Sequence, residues 1–377
     1  MKQSAILDNK IVRSFESRSI ILFLLLLTLL PVAVSAQVQV PVVTATNTTI
    51  RIMASNLSSG NNQRYEAPGL RIMKGLQPDV IAIQEFNYSG SFSEMVQQTF
   101  GPQFTYYRET GSYSIPNGVI SRFPIVQSGT WVDSDTGVND RGFAWAKIDL
   151  PGTNDLYVVS VHLKASSGAD NVSRRNAQAT EIKSLIQANF PANAWIIVAG
   201  DFNAQNRNEA CLTTFKTFLS DARIPVDQSG NPNTNSGRDK PYDFVLPSFS
   251  LSSNQVATVL GNQSFPNGLV FDSRVYSPLP SPVQFGDSGV QGMQHMAVVK
   301  DFQVSYTVTN YVTVNPPELH LVSPGVIGWT GPGNLTYTVQ SSSNLVQWVN
   351  AGTVNSATTN YTFSLPGEPS FYRVKYP

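Results

Sequence analysis

The feature that most constrains this chain is a series of short, wholly apolar runs that stop at a polar or acidic residue. Ile196-Ile197-Val198-Ala199-Gly200 runs into Asp201-Phe202-Asn203, and Val80-Ile81-Ala82-Ile83 runs into Gln84-Glu85. Comparable runs occupy residues 50–54, 118–120, 143–148, 156–161 and 244–246. Each has strand length and β-branched content, and most end in Gly, Asn, Asp or Ser. Two helices are predicted in the same region. One covers residues 67–76, before Pro78. The other covers residues 173–188, with Ala177, Ile182, Leu185 and Ile186 on one face and Ser173 as its N-cap. Many strands and few helices in one long domain predict packed sheets flanked by helices, an α+β or four-layer arrangement.

With 377 residues the chain accommodates two domains, or one large domain and an appendage. Its character changes near residue 307, where residues 308–315 lead to Pro316-Pro317, a stiff linker signal. Beyond it, short alternating runs at 335–340, 346–349, 361–365 and 371–374 predict a small all-β module whose aromatic residues form its core. At the other end, Lys2, Lys10, Arg13 and Arg18 precede an apolar run over 20–30. Pro31 and Val34-Ser35-Ala36 follow, then Gln37. This is a secretory signal pattern. An uncleaved anchor is the alternative, disfavoured because a spanning helix needs about 20 apolar residues. The predicted organisation is a signal peptide (1–36), a lead (37–47), a main domain (48–306), a linker (307–317) and a β module (318–377). After cleavage the protein is expected to be exported, without stable membrane association.

Lys+Arg and Asp+Glu balance at 25 each, which gives no support to a polyanionic partner. A dedicated duplex-DNA binder is more often basic. The single cysteine, Cys211, excludes an intrachain disulfide. It is expected to be a small buried apolar residue rather than a reactive thiol.

Chemistry concentrates at the ends of the apolar runs. Asp201 and Asn203 lie two apart, on one side of an extended chain. The carboxylate can orient or deprotonate a water and the amide can donate to a phosphate oxygen, although an Asx turn reads equally well. Glu85 is a hard oxygen ligand suited to Mg²⁺, or a solvated strand end. His162 and Lys164 share a face at the end of the 156–161 run. Asp243 opens the 244–246 run, and His295 precedes Met296-Ala297-Val298-Val299. Of the three histidines, only His320 falls in the C-terminal module.

The order of these segments resembles the endonuclease/exonuclease/phosphatase superfamily, also called deoxyribonuclease-I-like. The resemblance rests on Asn56, Gln84-Glu85, Ser121-Arg122-Phe123-Pro124-Ile125, His162-Leu163, Gly200-Asp201-Phe202-Asn203, Asp243-Phe244 and His295, across residues 48–306. It implies a four-layer α/β/β/α sandwich of two mixed, mostly antiparallel sheets, with the site at one rim. It implies Glu85 as principal Mg²⁺ ligand (Mn²⁺ and Ca²⁺ being alternatives) and Asn56 as a nearby metal or phosphate contact. Asp201 positions the attacking water, with Asn203 beside it. His162 and His295 bind non-bridging oxygens or exchange protons, and Asp243 is the partner of His295. Arg141 and Lys164 are candidate phosphate contacts, and Glu109 is a candidate partner of His162.

Two positions depart from the pattern. Gln294 stands where an Asp usually precedes the final histidine, and Ser58 stands where a second acidic or polar ligand often follows the first Asn. The metal site is therefore expected to be lean, with weak Mg²⁺ affinity or help from a displaced acid such as Asp287. The activity expected is hydrolysis of a phosphodiester, most plausibly in nucleic acid. A phosphatase or sphingomyelinase-like activity on a small or lipid phosphate is the alternative within the enzyme class. A catalytically degenerate binding module is the alternative outside it.

Overall fold

The structure, a computed structural model, describes residues 12–13, 38–135, 138–314, 318–366 and 371–375. Contacts divide the chain into two compact units, Ala45–Thr307 and Met1–Thr44 with Val308–Pro377.

The principal elements between Val38 and Val314 are β1 (Val38–Ser55), α1 (Ala67–Leu76), β2 (Val80–Ile83), α2 (Phe92–Phe100), β3 (Thr105–Arg108), β4 (Gly118–Ser121), β5 (Ile125–Trp131), β6 (Phe143–Ile148), β7 (Leu156–His162), α3 (Ala169–Asn189), β8 (Trp195–Asp201), α4 (Ala210–Phe215), β9 (Asp243–Pro247), β10 (Gln255–Val256), β11 (Leu269–Phe271) and β12 (Ala297–Val314). One sheet has the order β9-β8-β7-β6-β5; the other runs β10-β12-β1-β2-β4-β3, with β11 also paired to β12. Both are mixed: β7–β8 and β1–β2 are parallel, within otherwise largely antiparallel pairing.

The apolar runs are explained by cover on both faces. Along β2, Val80 and Ala82 join a core that also holds Ala146, Val158, Ile197 and Val245 from the other sheet. Ile81 and Ile83 turn the opposite way, against Ile72, Met73 and Leu76 of α1 and Met95 of α2. In β7 and β8, Val158, Ile197 and Ala199 face the inter-sheet core. Val159, Val161, Ile196 and Val198 meet Ala179, Ile182 and Ile186 of α3 and Leu212 and Phe215 of α4. The period of two thus splits each run between two cores, and the layers are α/β/β/α.

Several elements differ from the sequence reading. Helix α2 was not expected; Ser91 caps it, its Oγ accepting from Glu94 N at 3.3 Å. Helix α3 starts at Ala169, and its N-cap is Gly168 rather than Ser173. Residues 38–47 of the expected lead belong to β1, and residues 307–314 of the expected linker belong to β12. Residues 315–317, including the prolines, lie outside the described residues. So does the expected signal segment, except Val12–Arg13. Among the described residues, no helix is long and apolar enough to cross a membrane. Cys211 is buried, which holds its thiol up at about 12.

The smaller unit contains β13 (His320–Ser323), β14 (Val326–Thr330), β15 (Leu335–Ser342), β16 (Val349–Ser356), β17 (Asn360–Ser364) and β18 (Phe371–Lys375). One sheet is β13-β14-β17; the other is β18-β15-β16, with Val12–Arg13 paired to β18. Trp329, Tyr337 and Tyr361 fill its core, Trp329 stacking on Tyr361 at 5.6 Å between centroids. The run expected as a strand at 346–349 is mostly a turn. Asn344 Oδ1 accepts from Val346 N (3.0 Å) and Gln347 N (2.9 Å), and β16 starts only at Val349.

Candidate active site

Strand register delivers most of the site. Because β7 and β8 are parallel neighbours, His162 and Asp201 form their last register pair. β9 runs antiparallel on the other side of β8, and Asp243 is the register partner of Asp201. In the second sheet Ser55 pairs with Ile83, so β1 and β2 release Asn56 and Glu85 together. Gly200 is required by this packing: at φ +137° a Cβ would lie 2.2 Å from Val161 O and 2.5 Å from Gln84 Nε2. Glu85 adopts φ +52° and Asn203 φ +50°. This is common for Asn but strained for Glu, and such strain collects at functional sites.

The side chains converge on one carboxylate oxygen. Asp201 Oδ2 lies 3.2 Å from His162 Nε2 and 3.4 Å from His295 Nε2. It also accepts from Asn56 Nδ2 and Asn203 Nδ2, both at 3.1 Å. Asp201 Oδ1 accepts from Asn203 N at 2.8 Å, the Asx turn weighed above. His295 Nδ1 meets Asp243 Oδ2 at 3.0 Å, the predicted pairing. Asn56 Nδ2 bridges onward to Glu85 Oε1 at 3.3 Å. Ser58 donates to Glu85 Oε2, and Gln63 Nε2 donates to Oε1 at 2.9 Å.

Electrostatics divide the two imidazoles. Burial, with Arg141 and His295 nearby, holds His162 well below its usual value, so it is neutral. Its Nε2 approaches Asp201 Oδ2 at 3.2 Å, and its buried Nδ1 has no hydrogen-bond partner. Burial also opposes a charge on His295, but Asp243 and Asp201 outweigh it and push its value up to about 10. His295 is therefore held toward its protonated form, with Nδ1 hydrogen-bonded to Asp243 and Nε2 beside both Asp201 Oδ2 and Asn56 Nδ2. Burial raises Asp201 to about 6, with His295 pulling the other way.

Two groups of donors could hold a metal. Asp201, Asp243 and His295 present ligand atoms within 4.8 Å of one another. Both nitrogens of His295 already face carboxylates, however, at 3.4 and 3.0 Å. Glu85 differs: its hydrogen bonds come from the uncharged Asn56, Ser58 and Gln63, and burial raises its value, with Ser58 and His295 pulling the other way. Beside it, Asn56 Oδ1 is buried without a hydrogen-bond donor. A buried carboxylate attended only by neutral donors, next to an orphaned amide oxygen, fits a hard divalent cation.

Other expected residues stand elsewhere. Arg141 does not reach into the cleft. Its Nε donates to His162 O at 2.7 Å and Nη2 to Leu163 O at 3.1 Å, while Nη1 meets Asp140. It braces the His162 backbone. Glu109 is not bonded to His162; its Oε2 accepts from Asn117 N (2.7 Å) and Gly142 N (3.2 Å). Gln294 is exposed, and only its carbonyl is used, by Ser236 N. Asp287 is taken by Arg71 and cannot serve as a displaced ligand. Lys164 is half-buried, and its ammonium has no partner among the described residues. Sequence reasoning missed Gln63, and it missed the loop where Thr234 Oγ1 accepts from Asp243 N at 2.8 Å and Asn235 bridges to His295. Neither has a periodic or motif signal, since both act from loops.

A family model described as the Endonuclease/Exonuclease/phosphatase family matches residues 56–271. Solved structures similar to this chain include an endonuclease/exonuclease/phosphatase from Beutenbergia cavernae, at 14% identity over 87% of this chain and 100% of that one, with a TM-score of 0.46. The human Nocturnin catalytic domain with bound sulfate is 18% identical over 72% of this chain and 98% of that one, TM-score 0.46. An AP endonuclease from Archaeoglobus fulgidus is 12% identical over 67% and 99%, TM-score 0.45. No curated protein matches.

Proposed function

Because the chain belongs to the endonuclease/exonuclease/phosphatase family, whose members hydrolyse phosphoric esters, we propose that it cleaves a phosphodiester by in-line attack of water. The observation that carries this reading is the approach of two imidazoles, His162 and His295, to the same oxygen of Asp201, at 3.2 and 3.4 Å. Three groups are thereby concentrated at one point, as phosphoryl transfer requires.

In this reading Asp201, with its raised value, accepts the proton of the attacking water. Asn203, fixed by its own backbone bond to Asp201, orients that water or a phosphoryl oxygen. His295, held protonated by Asp243, donates to the phosphoryl group and stabilises its developing negative charge. His162 stays neutral and donates through Nε2–H. Glu85 and Asn56 would hold a divalent cation, Mg²⁺ first with Mn²⁺ and Ca²⁺ as alternatives, and it would neutralise charge on the phosphoryl oxygens. With one carboxylate and neutral neighbours, Ser58 and Gln63 among them, that ion is bound weakly.

The substrate proposed is a phosphodiester in nucleic acid, and the destination is outside the cell, in keeping with the basic-apolar segment before Gln37. The test is a substrate panel on purified protein: plasmid DNA, RNA, sphingomyelin, inositol phosphates and a generic aryl phosphodiester, with and without Mg²⁺. Cleavage of nucleic acid that stops with excess chelator supports the reading. Turnover confined to sphingomyelin or to phosphomonoesters replaces it with the lipid or phosphatase alternative. Activity untouched by chelator removes the metal, and inactivity throughout favours a binding module.

A further inference from the structure

Arg175 looks in sequence like a solvated helix start, next to Ser173 and Arg174. Arg174 is indeed at the surface, paired with Asp135. Arg175 is the opposite, with 0% of its surface exposed. Such burial of a guanidinium is costly unless charge and hydrogen bonds are both satisfied, so its partners are informative.

Those partners lie on two different loops. Arg175 Nη1 donates to Lys164 O and Ser166 O, both at 2.8 Å, on the segment leaving β7 just after His162. Arg175 Nε donates to Glu209 Oε1, in the segment leaving β8. Glu209 Oε2 then accepts from Gln205 N at 2.9 Å, and Gln205 Nε2 donates to Asn203 O at 3.0 Å. One turn along α3, Gln178 Oε1 accepts from Lys164 N at 2.9 Å. From below, Asn203 Nδ2 donates to Leu163 O at 3.2 Å.

We propose that the buried Arg175–Glu209 pair is a positioning device of the active site, fixing the exit loops of β7 and β8 against each other and so the placement of Asn203 and of the segment after His162 around the His162–Asp201 register pair. Register pairing of those strands ends at His162 and Asp201, one further backbone bond runs from Leu163 N to Asp201 O at 2.9 Å, and helix α3 ties together the segments beyond. An apolar pair could fill the same volume with no loss of stability, but it could not hold two carbonyls and a backbone N–H in fixed directions. Arg175 and Glu209 touch no reacting atom, so their effect passes through other residues. The proposal rests on the phosphodiesterase reading for its kinetic arm only.

The test is the double variant Arg175→Met/Glu209→Met, which leaves no buried charge unpaired, alongside Arg175→Lys. The lysine retains charge but cannot serve the Glu209 carboxylate and two carbonyls with the same fork. Expected for the double variant is a Tm near that of the wild type. Its kcat should fall by roughly 10²-fold, the usual cost of about 1 Å of misplacement, with KM nearly unchanged. Arg175→Lys should give a smaller loss of the same kind. Hydrogen exchange supplies the second readout: amides of residues 163–168 and 202–209 should lose protection in the variants while those of 196–200 keep it. A folded variant with wild-type kcat overturns the proposal. Unchanged exchange in both loops overturns it whether or not the wild type turns over any ester. Wild-type inactivity with altered exchange strikes the functional reading and leaves the loop-fixing role standing. If the double variant does not fold, Arg175→Lys is judged by the same two criteria.

Discussion

Asp201 Oδ2 and His162 Nε2 lie 3.2 Å apart because their residues are the last register pair of two parallel strands. Sheet geometry, rather than a loop, sets this distance. A rigid, buried contact of this kind suits a base that must stay aimed while substrate comes and goes.

The first prediction concerns that base. Asp201→Asn should lower kcat by roughly 10²–10⁴-fold, the range for removing a general base, and leave the fold intact by circular dichroism. In the wild type, kcat/KM should rise with pH through about 6, because the proton acceptor must be ionised and burial has raised its value to that point. A rate independent of pH between 5 and 7 would remove Asp201 from this role.

Asp243 is predicted to act through His295. The carboxylates Asp243 and Asp201 hold His295 protonated up to about 10, so activity should fall only at strongly alkaline pH. Asp243→Asn removes the Nδ1 partner, and the alkaline limb should move to lower pH as well as the rate dropping. The measurement is a pH–rate profile of both proteins. An unmoved alkaline limb would mean that His295 does not act as the protonated group.

The lean cation site predicts a binding phenotype. Glu85→Gln should weaken Mn²⁺ binding by at least about tenfold in titration calorimetry, since it removes the site carboxylate whose hydrogen bonds all come from neutral donors. Ser58→Ala should have a smaller effect, because Ser58 only donates to Glu85. Equal affinity in wild type and Glu85→Gln would transfer the ion to the Asp201–Asp243–His295 trio.

Glu109 predicts a pH-dependent stability. Burial raises its folded value from 4.5 to about 7, against two backbone hydrogen bonds and the nearby arginines. The folded state therefore binds the proton more tightly than the unfolded one. Stability from this group is fully present below 4.5 and is lost as pH rises to about 7. Glu109→Gln keeps an acceptor for Asn117 N and Gly142 N without the charge. It should be more stable than wild type at pH 8, by up to about 3 kcal/mol, and no more stable at pH 4. Denaturant unfolding at both pH values checks this; a gain that is equal at both would point to packing rather than ionisation.

The sequence was most legible where apolar runs stop. A strand buried on both faces cannot carry a polar residue within it cheaply, so Glu85, His162, Asp201 and Asp243 stand out at the ends or starts of Val80–Ile83, Leu156–His162, Trp195–Asp201 and Asp243–Pro247. The four-layer fold follows from the same runs, once the period of two divides them between cores. The pairing of His295 with Asp243 was legible only through family resemblance.

What the sequence left undetermined is which polar residues are buried and what they serve. Arg175 reads as part of a solvated helix start, and Arg141 and Glu109 as candidate contacts of a phosphate and of His162, yet all three are buried among other partners, as is Gln178. Their partners are carbonyls, amides and carboxylates, several of them far away in sequence: Arg175 is bound by Glu209, and Gln178 by Asp133. The sequence by itself determined the strands, their two-faced burial and the chemistry placed at their ends, because apolar pattern acts locally. Only the tertiary structure decided how those ends are held in register and braced, because the hydrogen-bond partners that make a buried charge tolerable are supplied by segments brought together in folding.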